Sequence, residues 1–331
     1  MTTYPLSRRR VLGVAALAAL ARPALVQPAL AQSWPSRPIR YIVTFPPGGS
    51  GDALARVLAP VVGERLGQPI VVENRPGAGG NIGMDAVAKA APDGYTLGQG
   101  PAGALTVNPS LYPALPFDPL RDFAPVTMLG GTPFLLAVRA RSELHGLGDL
   151  LTAARARPDR LTVAHGGVGS AMHLTAELLN QAGQIRLITV PYRGVGPSLT
   201  ALLSGDTDLA VLDPPAALPL IADGQIRALA VSSPQRMPQL PDVPTVAEAG
   251  LGGFESLGWL GLVAPAATPA PILARLHEVF TGALRDPAVL ERLNTIGVTA
   301  QPTTSAEFAA IIRSETEKWG KVVRAAGIRV E

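Results

Sequence analysis

The sequence predicts an α/β protein whose strands and helices form two lobes, and three observations lead to this prediction. After residue 31, short apolar runs alternate with helical patterns, which favours mostly parallel sheets flanked by helices. The 331 residues exceed one typical domain, and 47% of them are apolar against 16% charged, which excludes intrinsic disorder. The last two helical patterns have no strands of their own, so we expect them to return to the first α/β unit.

The first 31 residues have the pattern of an export signal. Three arginines at 8–10 precede an apolar run over 11–21, and Ala29-Leu30-Ala31 has the small-residue pattern of a cleavage site. This run is about half of the ~20 residues that a spanning helix needs. We therefore expect cleavage before Gln32 and a mature chain that is soluble outside the cytoplasm, with an uncleaved N-terminal anchor as the alternative. The paired arginines favour twin-arginine export, and general secretion stays open.

Charge and composition exclude several classes of protein. The formal net charge is +3, but the leader holds four arginines and no acid, so the remainder carries 24 basic and 25 acidic residues. This balance predicts no nucleic-acid partner. The absence of cysteine excludes disulfides, a thiol nucleophile and thiolate metal ligands. The four histidines lack the spacing of metal ligands, so we expect neither a metal nor a cofactor.

The secondary structure follows from apolar periodicity. Runs rich in β-branched residues predict strands, and apolar residues three and four positions apart predict helices. The first unit should contain strands over 39–44, 70–72 and 95–97 and helices over 52–66 and 81–90. The second unit should contain strands over 134–138, 161–164, 187–190, 209–212 and 228–231 and helices over 147–156, 171–182, 197–203 and 216–222. The final helices should span 271–284 and 304–326.

The connections predict how the lobes are divided. Five prolines between 101 and 119 exclude one long helix or a central strand there. We expect the chain to cross between the lobes near 131–134 and 254–261. This places 32–133 and 255–331 in the first lobe and 134–254 in the second.

Two glycine-rich loops, Phe45–Asp52 and His165–Ser170, each join a predicted strand to a predicted helix. Glycines allow backbone N–H groups to approach a ligand, and a helix N-terminus adds roughly half a positive charge. Such a corner binds carboxylate or phosphate without lysine or arginine. One corner alone is equally compatible with a structural turn. Two corners, one in each predicted lobe, suit a small dianion held across a cleft.

The side chains beside these loops have different expected roles. The hydroxyls of Ser50 and Ser170 can donate hydrogen bonds to a carboxylate. Asp52 begins a helix, where an acid caps backbone donors, so we interpret it as a brace for the first loop. His173 lies one turn into the second helix and is interpreted as a supporting residue.

No enzyme signature is present in full. The sequence lacks G-x-S-x-G and G-x-x-x-x-G-K-[ST]. Gly98–Gly103 matches G-x-G-x-x-G, but Pro109 and Pro113 break the helix that dinucleotide binding requires. The sequence offers no set of nucleophile, base and acid, so we do not expect an enzyme.

Several motifs resemble those of one family. They are Phe45–Asp52, Val72–Gly83, Asp93–Thr96, Pro116–Pro119, Gly169–Leu174, Val190–Gly194, Leu240–Thr245, Trp259–Gly261 and Ala264–Pro269. Over about 38–328 their order and spacing resemble the Bug family, the periplasmic solute-binding receptors of tripartite tricarboxylate transporters. The resemblance implies a two-lobed venus-flytrap fold of the periplasmic-binding-protein class, each lobe a mostly parallel sheet flanked by helices.

The resemblance also implies a function. Such a receptor binds a small organic carboxylate between its lobes and delivers it to membrane permease subunits, here as a monomer. The carboxylate-holding residues carried over from the family are Pro47, Gly48, Gly49, Ser50, Gly169 and Ser170, with Tyr192 and Asp213 on loops that face the cleft. Three segments depart from the pattern of many relatives, namely 99–101, 165–167 and 212–215, so no relative's ligand can be transferred. The alternatives are a ligand-sensing subunit without transport and a secreted oxidoreductase or hydrolase.

Overall fold

Residues 34–326 are described by a computed structural model, and they form eleven strands and ten α-helices. The predicted export signal lies outside these residues. The strands are β1 (Ile39–Val43), β2 (Ile70–Asn74), β3 (Thr96–Pro101), β4 (Phe123–Pro133), β5 (Leu135–Arg139), β6 (Thr162–His165), β7 (Ile188–Pro191), β8 (Leu209–Leu212), β9 (Ile226–Val231), β10 (Leu257–Pro265) and β11 (Thr299–Ala300). The helices are α1 (Ser50–Leu66), α2 (Asn81–Ala88), α3 (Asn108–Leu111), α4 (Leu147–Ala156), α5 (Ala171–Gly183), α6 (Val195–Ser204), α7 (Pro214–Ala222), α8 (Ala270–Ala283), α9 (Pro287–Thr295) and α10 (Ser305–Ala326).

The strands assemble into two sheets. The first has the order β11-β4-β10-β3-β1-β2, and the second has the order β7-β6-β8-β5-β9. Helices cover both sheets, which confirms the two-lobed α/β class. The exact lobe boundaries stay a prediction. Within the described part of the chain, no helix combines the length and apolar character that crossing a bilayer requires.

Both sheets are mixed, so the expectation of mostly parallel sheets is wrong. In the first sheet only the β1–β2 and β1–β3 pairs are parallel. In the second sheet β6 pairs in parallel with β7 and β8, whereas β5 is antiparallel to β8 and β9. The cause is the path of the chain. The chain passes from β4 of the first sheet directly into β5 of the second sheet and returns to the first sheet along β10. As a result, β10 is antiparallel to β3 and β4, and β5 is antiparallel to β8 and β9.

The C-terminal helices pack against the first sheet. Phe280 of α8 lies edge-on against Tyr41 of β1, with ring centroids 5.9 Å apart. Phe308 and Ile312 of α10 share a buried cluster with Ile42 of β1. The expectation that these helices lack strands of their own is wrong, because β10 precedes α8 and β11 precedes α10. The sequence analysis also missed α9.

The strand-to-helix corners follow from local backbone chemistry. Gly49 is extended, with φ −88° and ψ 174°, and precedes the first residue of α1. Ser170 is also extended and caps α5, because its side chain accepts a hydrogen bond from His173 N. Each helix therefore starts directly after a glycine-rich turn and points its N-terminus at the space between the sheets.

Candidate functional site

A cleft between the two lobes reaches the N-termini of α1 and α5. It contains about 610 Å³ of empty space, part of it open to solvent. Its walls come from both lobes and from β4 and β10, and they consist of Phe45, Pro46, Gly49, Ser50, Gly51, Pro101, Ala102, Gly103, Thr132, Phe134, Ser170, Ala171, Met172, Val195, Asp213, Gly258, Trp259 and Leu260. None of these described lining residues is Lys, Arg or His. The donors that these residues can offer an anion are backbone N–H groups, the hydroxyls and the indole N–H of Trp259.

The loop before α1 is braced by a buried acid. The carboxylate of Asp52 accepts hydrogen bonds from Gly48 N at 3.2 Å, Asn74 Nδ2 at 3.0 Å and Arg56 Nε at 2.9 Å. Burial opposes ionisation of Asp52, but these hydrogen bonds and the charge of Arg56 outweigh it and hold the pKa of the carboxyl below its usual range. Asp52 thus contacts the loop from behind and does not line the cleft.

At the second corner, before α5, the hydroxyl of Ser170 already forms hydrogen bonds within the loop and helix. Ser170 Oγ donates to Gly167 O at 2.7 Å and accepts from His173 N at 3.2 Å. The first backbone hydrogen bond of the α5 helix runs from Leu174 N to Ser170 O at 3.1 Å. The N–H groups of Ala171 and Met172 precede that bond, so they have no intrahelical acceptor and lie at the cleft wall.

Two histidines hold this second loop. His165 is fully buried at the end of β6, and its Nδ1 lies 3.3 Å from Gly167 N. His173 Nδ1 accepts from Gly169 N at 3.3 Å, and its Nε2 lies 3.6 Å from Glu177 Oε1. Burial, with a smaller contribution from the neighbouring His173, lowers the pKa of His165 to about 3. His165 is therefore neutral at the pH of most compartments.

The carboxylate of Asp213 connects the second lobe to the first across the cleft. Asp213 is 4% exposed, and its Oδ2 accepts from Ser50 N at the start of α1 at 3.0 Å. Its Oδ1 is buried and has no hydrogen-bond partner. Burial raises the pKa of Asp213, although hydrogen bonds from the backbone and side chain of Ser50 oppose that shift.

The structure brings four of the predicted site residues to the cleft wall, namely Gly49, Ser50, Ser170 and Asp213. Pro47 and Gly48 are exposed and lie outside it. Gly169 faces the side chain of Asn108, and Tyr192 lines a second opening between the lobes with Gly167 and Arg193.

The sequence analysis missed several apolar wall residues, including Phe134, Met172, Val195 and Trp259. Trp259 lies in one of the family motifs, which was the available signal. No group of three or more His, Asp or Glu side chains within 34–326 could hold a metal ion.

Two α/β lobes linked by crossing strands, with a cleft at their helix N-termini, define the class of periplasmic solute-binding proteins. Two solved structures from Rhodopseudomonas palustris are similar to this chain. One, Rpa4515 with adipate, superposes with a TM-score of 0.86 at 35% identity, covering 90% of this chain and 100% of that one. The other, MatC with bound malate, superposes with a TM-score of 0.81 at 36% identity, covering 88% and 100%.

Sequence comparison gives the family. Protein BugT of Bordetella pertussis is 39% identical over 313 residues, which cover 94% of this chain and 96% of BugT. Residues 54–328 match the TctC family, described as Tripartite tricarboxylate transporter family receptor. The chain belongs to this family of periplasmic solute-binding receptors, and the resemblance to the Bug proteins is confirmed.

Proposed function

We propose that this protein captures a small organic carboxylate in the cleft between its lobes and delivers it to the permease of a tripartite tricarboxylate-type transporter. The observation that carries the proposal is the meeting of two helix N-termini, from α1 and α5, at one cleft whose described lining residues include no Lys, Arg or His. The relatives with adipate and malate support the carboxylate class. The protein acts in the periplasm as a soluble monomer after removal of residues 1–31.

Backbone groups supply the binding energy in this proposal. The N–H groups of a first helical turn and the helix dipole favour a negative charge, and both act more strongly where water is excluded. Closure of the lobes about β4 and β10 removes water from the ligand, and binding shifts an existing balance between open and closed forms. In this proposal the site binds its ligand unchanged, as a receptor of this family does.

Ligand-induced stabilisation tests the binding step. The protein is purified from the periplasmic fraction, unfolded and refolded to remove carried-over ligand, and heated with a panel of organic acids. A ligand at about 100 times its Kd adds about 2.7 kcal/mol, which raises Tm by a few degrees. Stabilisation confined to one class of carboxylate is expected. No stabilisation by any acid would contradict the proposal.

A deletion strain tests the delivery step. Loss of uptake of the identified acid is expected when this gene is removed, and restoration of the gene should restore uptake. Unchanged uptake with loss of gene induction by the acid would instead assign the protein to ligand sensing.

A further inference from the structure

The side chain of His173 connects the second glycine-rich loop to an acid that lies outside the cleft wall. Its Nδ1 accepts a hydrogen bond from Gly169 N at 3.3 Å, and its Nε2 lies 3.6 Å from Glu177 Oε1, one turn further along α5. The residue is 7% exposed, so the partners of both ring nitrogens come from the protein rather than from bulk water. Glu177 therefore reaches the loop through this imidazole.

The two contacts of the ring are compatible with only one tautomer of the neutral imidazole. A neutral imidazole carries a proton on one nitrogen and a lone pair on the other. A proton on Nε2 faces the carboxylate of Glu177 and leaves the lone pair of Nδ1 for Gly169 N. The opposite tautomer would place a lone pair against the carboxylate and would place two N–H groups against each other at Gly169. The arrangement therefore selects the Nε2–H form.

Glu177 is itself held in place by a neighbouring strand. Its Oε1 accepts a hydrogen bond from Thr189 Oγ1 of β7 at 3.1 Å. The interaction with His173, followed by a smaller contribution from Thr189, lowers the pKa of Glu177, although burial opposes this shift. Glu177 is therefore an ionised acceptor at neutral pH, fixed between α5 and β7.

The position of Gly169 matters for the cleft because this residue directly precedes Ser170, the cap of α5. Gly169 is buried and has a φ of +77°, and a Cβ on it would lie only 2.5 Å from Asn108 Oδ1. The loop is thus tightly packed, and loss of the acceptor for Gly169 N would leave a buried donor unpaired. The turn that directs the first N–H groups of α5 into the cleft would then have to move.

We propose that Glu177 is a positioning residue of the second binding corner: by selecting the Nε2–H tautomer of His173, it holds Gly169 and the N-terminus of α5 in the geometry that binds the carboxylate. Glu177 does not line the cleft and acts through His173. This inference rests on the proposed function and adds a residue to the same site.

NMR of the ligand-free, ¹⁵N-labelled protein tests the tautomer. Long-range ¹H–¹⁵N correlation spectra distinguish the protonated ring nitrogen from the bare one, and the variant His173→Asn identifies the signals of His173 by their loss. We expect the wild-type protein to show the Nε2–H form at neutral pH. Glu177→Gln should show the opposite tautomer as well, because a neutral amide can either accept from Nε2 or donate to it. A wild-type His173 in the Nδ1–H form would overturn the inference, whether or not the variants fold.

Isothermal calorimetry on a double-mutant cycle tests the effect on binding. The probe is the acid of the panel that raises Tm most, with adipate and malate included in that panel. Glu177→Gln should weaken binding about fivefold, as for the loss of one ordinary hydrogen bond. His173→Asn places an amide oxygen near the position of Nδ1, where it can accept from Gly169 N without help from Glu177. In the His173→Asn protein, Glu177→Gln should therefore cause no further loss.

Glu143→Gln is the matched control, because it makes the same chemical change at an exposed position before α4. This variant should bind the probe as the wild type does and should leave the NMR signals of His173 unchanged.

The outcomes separate this inference from the proposed function. Wild-type affinity in Glu177→Gln, or an equal loss of affinity with and without His173→Asn, would overturn the positioning role while leaving a carboxylate receptor intact. No binding of any acid to a wild-type protein whose His173 is in the Nε2–H form would instead overturn the proposed function, while the role of Glu177 in holding the loop would stand.

Discussion

The imidazole rings of His165 and His173 stack in the second lobe, with centroids 4.5 Å apart and planes inclined by 26°. His165 ends β6 and His173 lies in the first turn and a half of α5, so the pair bridges the base of the glycine-rich loop between them. Each ring also approaches a backbone N–H of that loop, at Gly167 and Gly169. The loop geometry at the cleft therefore depends on a neutral His165.

Acid should destabilise the protein through His165. The pKa of this residue is about 3 in the folded state, against about 6.5 in the unfolded chain, so only the unfolded chain takes up the proton between these values. The contribution of neutral His165 to the free energy of unfolding is fully present above pH 6.5. It falls by up to about 1.4 kcal/mol per pH unit as the pH drops towards 3. Urea unfolding at several pH values should show this slope reduced in His165→Gln.

The exposed His145 provides the control for this measurement. His145→Gln should keep the wild-type slope. A His165→Gln protein with the full wild-type slope would show that other groups cause the acid sensitivity.

Loss of the Asp52 carboxylate should loosen the first loop. Hydrogen bonds hold the pKa of Asp52 below its usual range, so its contribution to stability is present above the unfolded pKa of about 3.9 and is lost as the pH falls through the lower folded value. We expect Asp52→Asn to lower the free energy of unfolding by about 1–2 kcal/mol at pH 7, with a smaller difference below pH 3.

Glu278→Gln provides the control, because Glu278 also pairs with an arginine on its own helix but does so at the surface, with Arg275 three positions earlier. Such a pair contributes about 0–1 kcal/mol. Equal destabilisation by the two substitutions would contradict a bracing role for Asp52.

The elements that form the two corners could be predicted from the sequence. The predicted helix over 52–66 begins two residues after the observed start of α1, because apolar periodicity and the preceding glycine run are both local signals. The predicted start of α5 at Ala171 is confirmed. In contrast, β4 and β10 contain glycines and prolines that weaken the strand pattern, so the sequence did not reveal the two strands that cross between the lobes.

The contact between Ser50 and Asp213 could not be predicted in the same way. The two residues are 163 positions apart in the sequence, and their distance depends on how the lobes meet. The family motifs placed Asp213 on a loop facing the cleft, but no local pattern shows that its oxygen reaches the N-terminus of α1. Likewise, the sequence placed His165 at the start of the second loop and indicated a supporting role for His173, but no local pattern showed that the two rings stack.

Adding a carboxylate at Gly49 should abolish ligand binding. Gly49 has an ordinary extended φ of −88°, so Asp is compatible with the backbone there. Its Cβ, however, would lie 3.0 Å from Asp213 Oδ2 and 3.5 Å from Val195 Cγ1, and its charge would face Asp213. We expect Gly49→Asp to weaken binding of the acid identified in the panel at least about a hundredfold by calorimetry, as for a buried like-charge pair.

Gly148→Asp provides the comparison, because a Cβ at Gly148 meets no atom within 4 Å and the residue is exposed in the first turn of α4. This variant should bind as the wild type does. If a folded Gly49→Asp protein keeps the wild-type affinity, the first loop does not bind the ligand.

A methyl group at Gly103 should hinder closure of the lobes. Gly103 begins a π-helical segment over Gly103–Val107, and a Cβ there would overlap the carbonyl oxygen of Gly169 across the cleft. Because the overlap is with backbone of the opposite lobe, the strain is relieved most readily when the lobes separate. We expect Gly103→Ala to bind the identified acid about tenfold more weakly and to show a larger radius of gyration by small-angle X-ray scattering with ligand present.

Gly196→Ala, whose Cβ would meet no atom within 4 Å, should change neither quantity. If Gly103→Ala keeps both the affinity and the radius of the wild type, contact between these two loops is not required for the ligand-bound form.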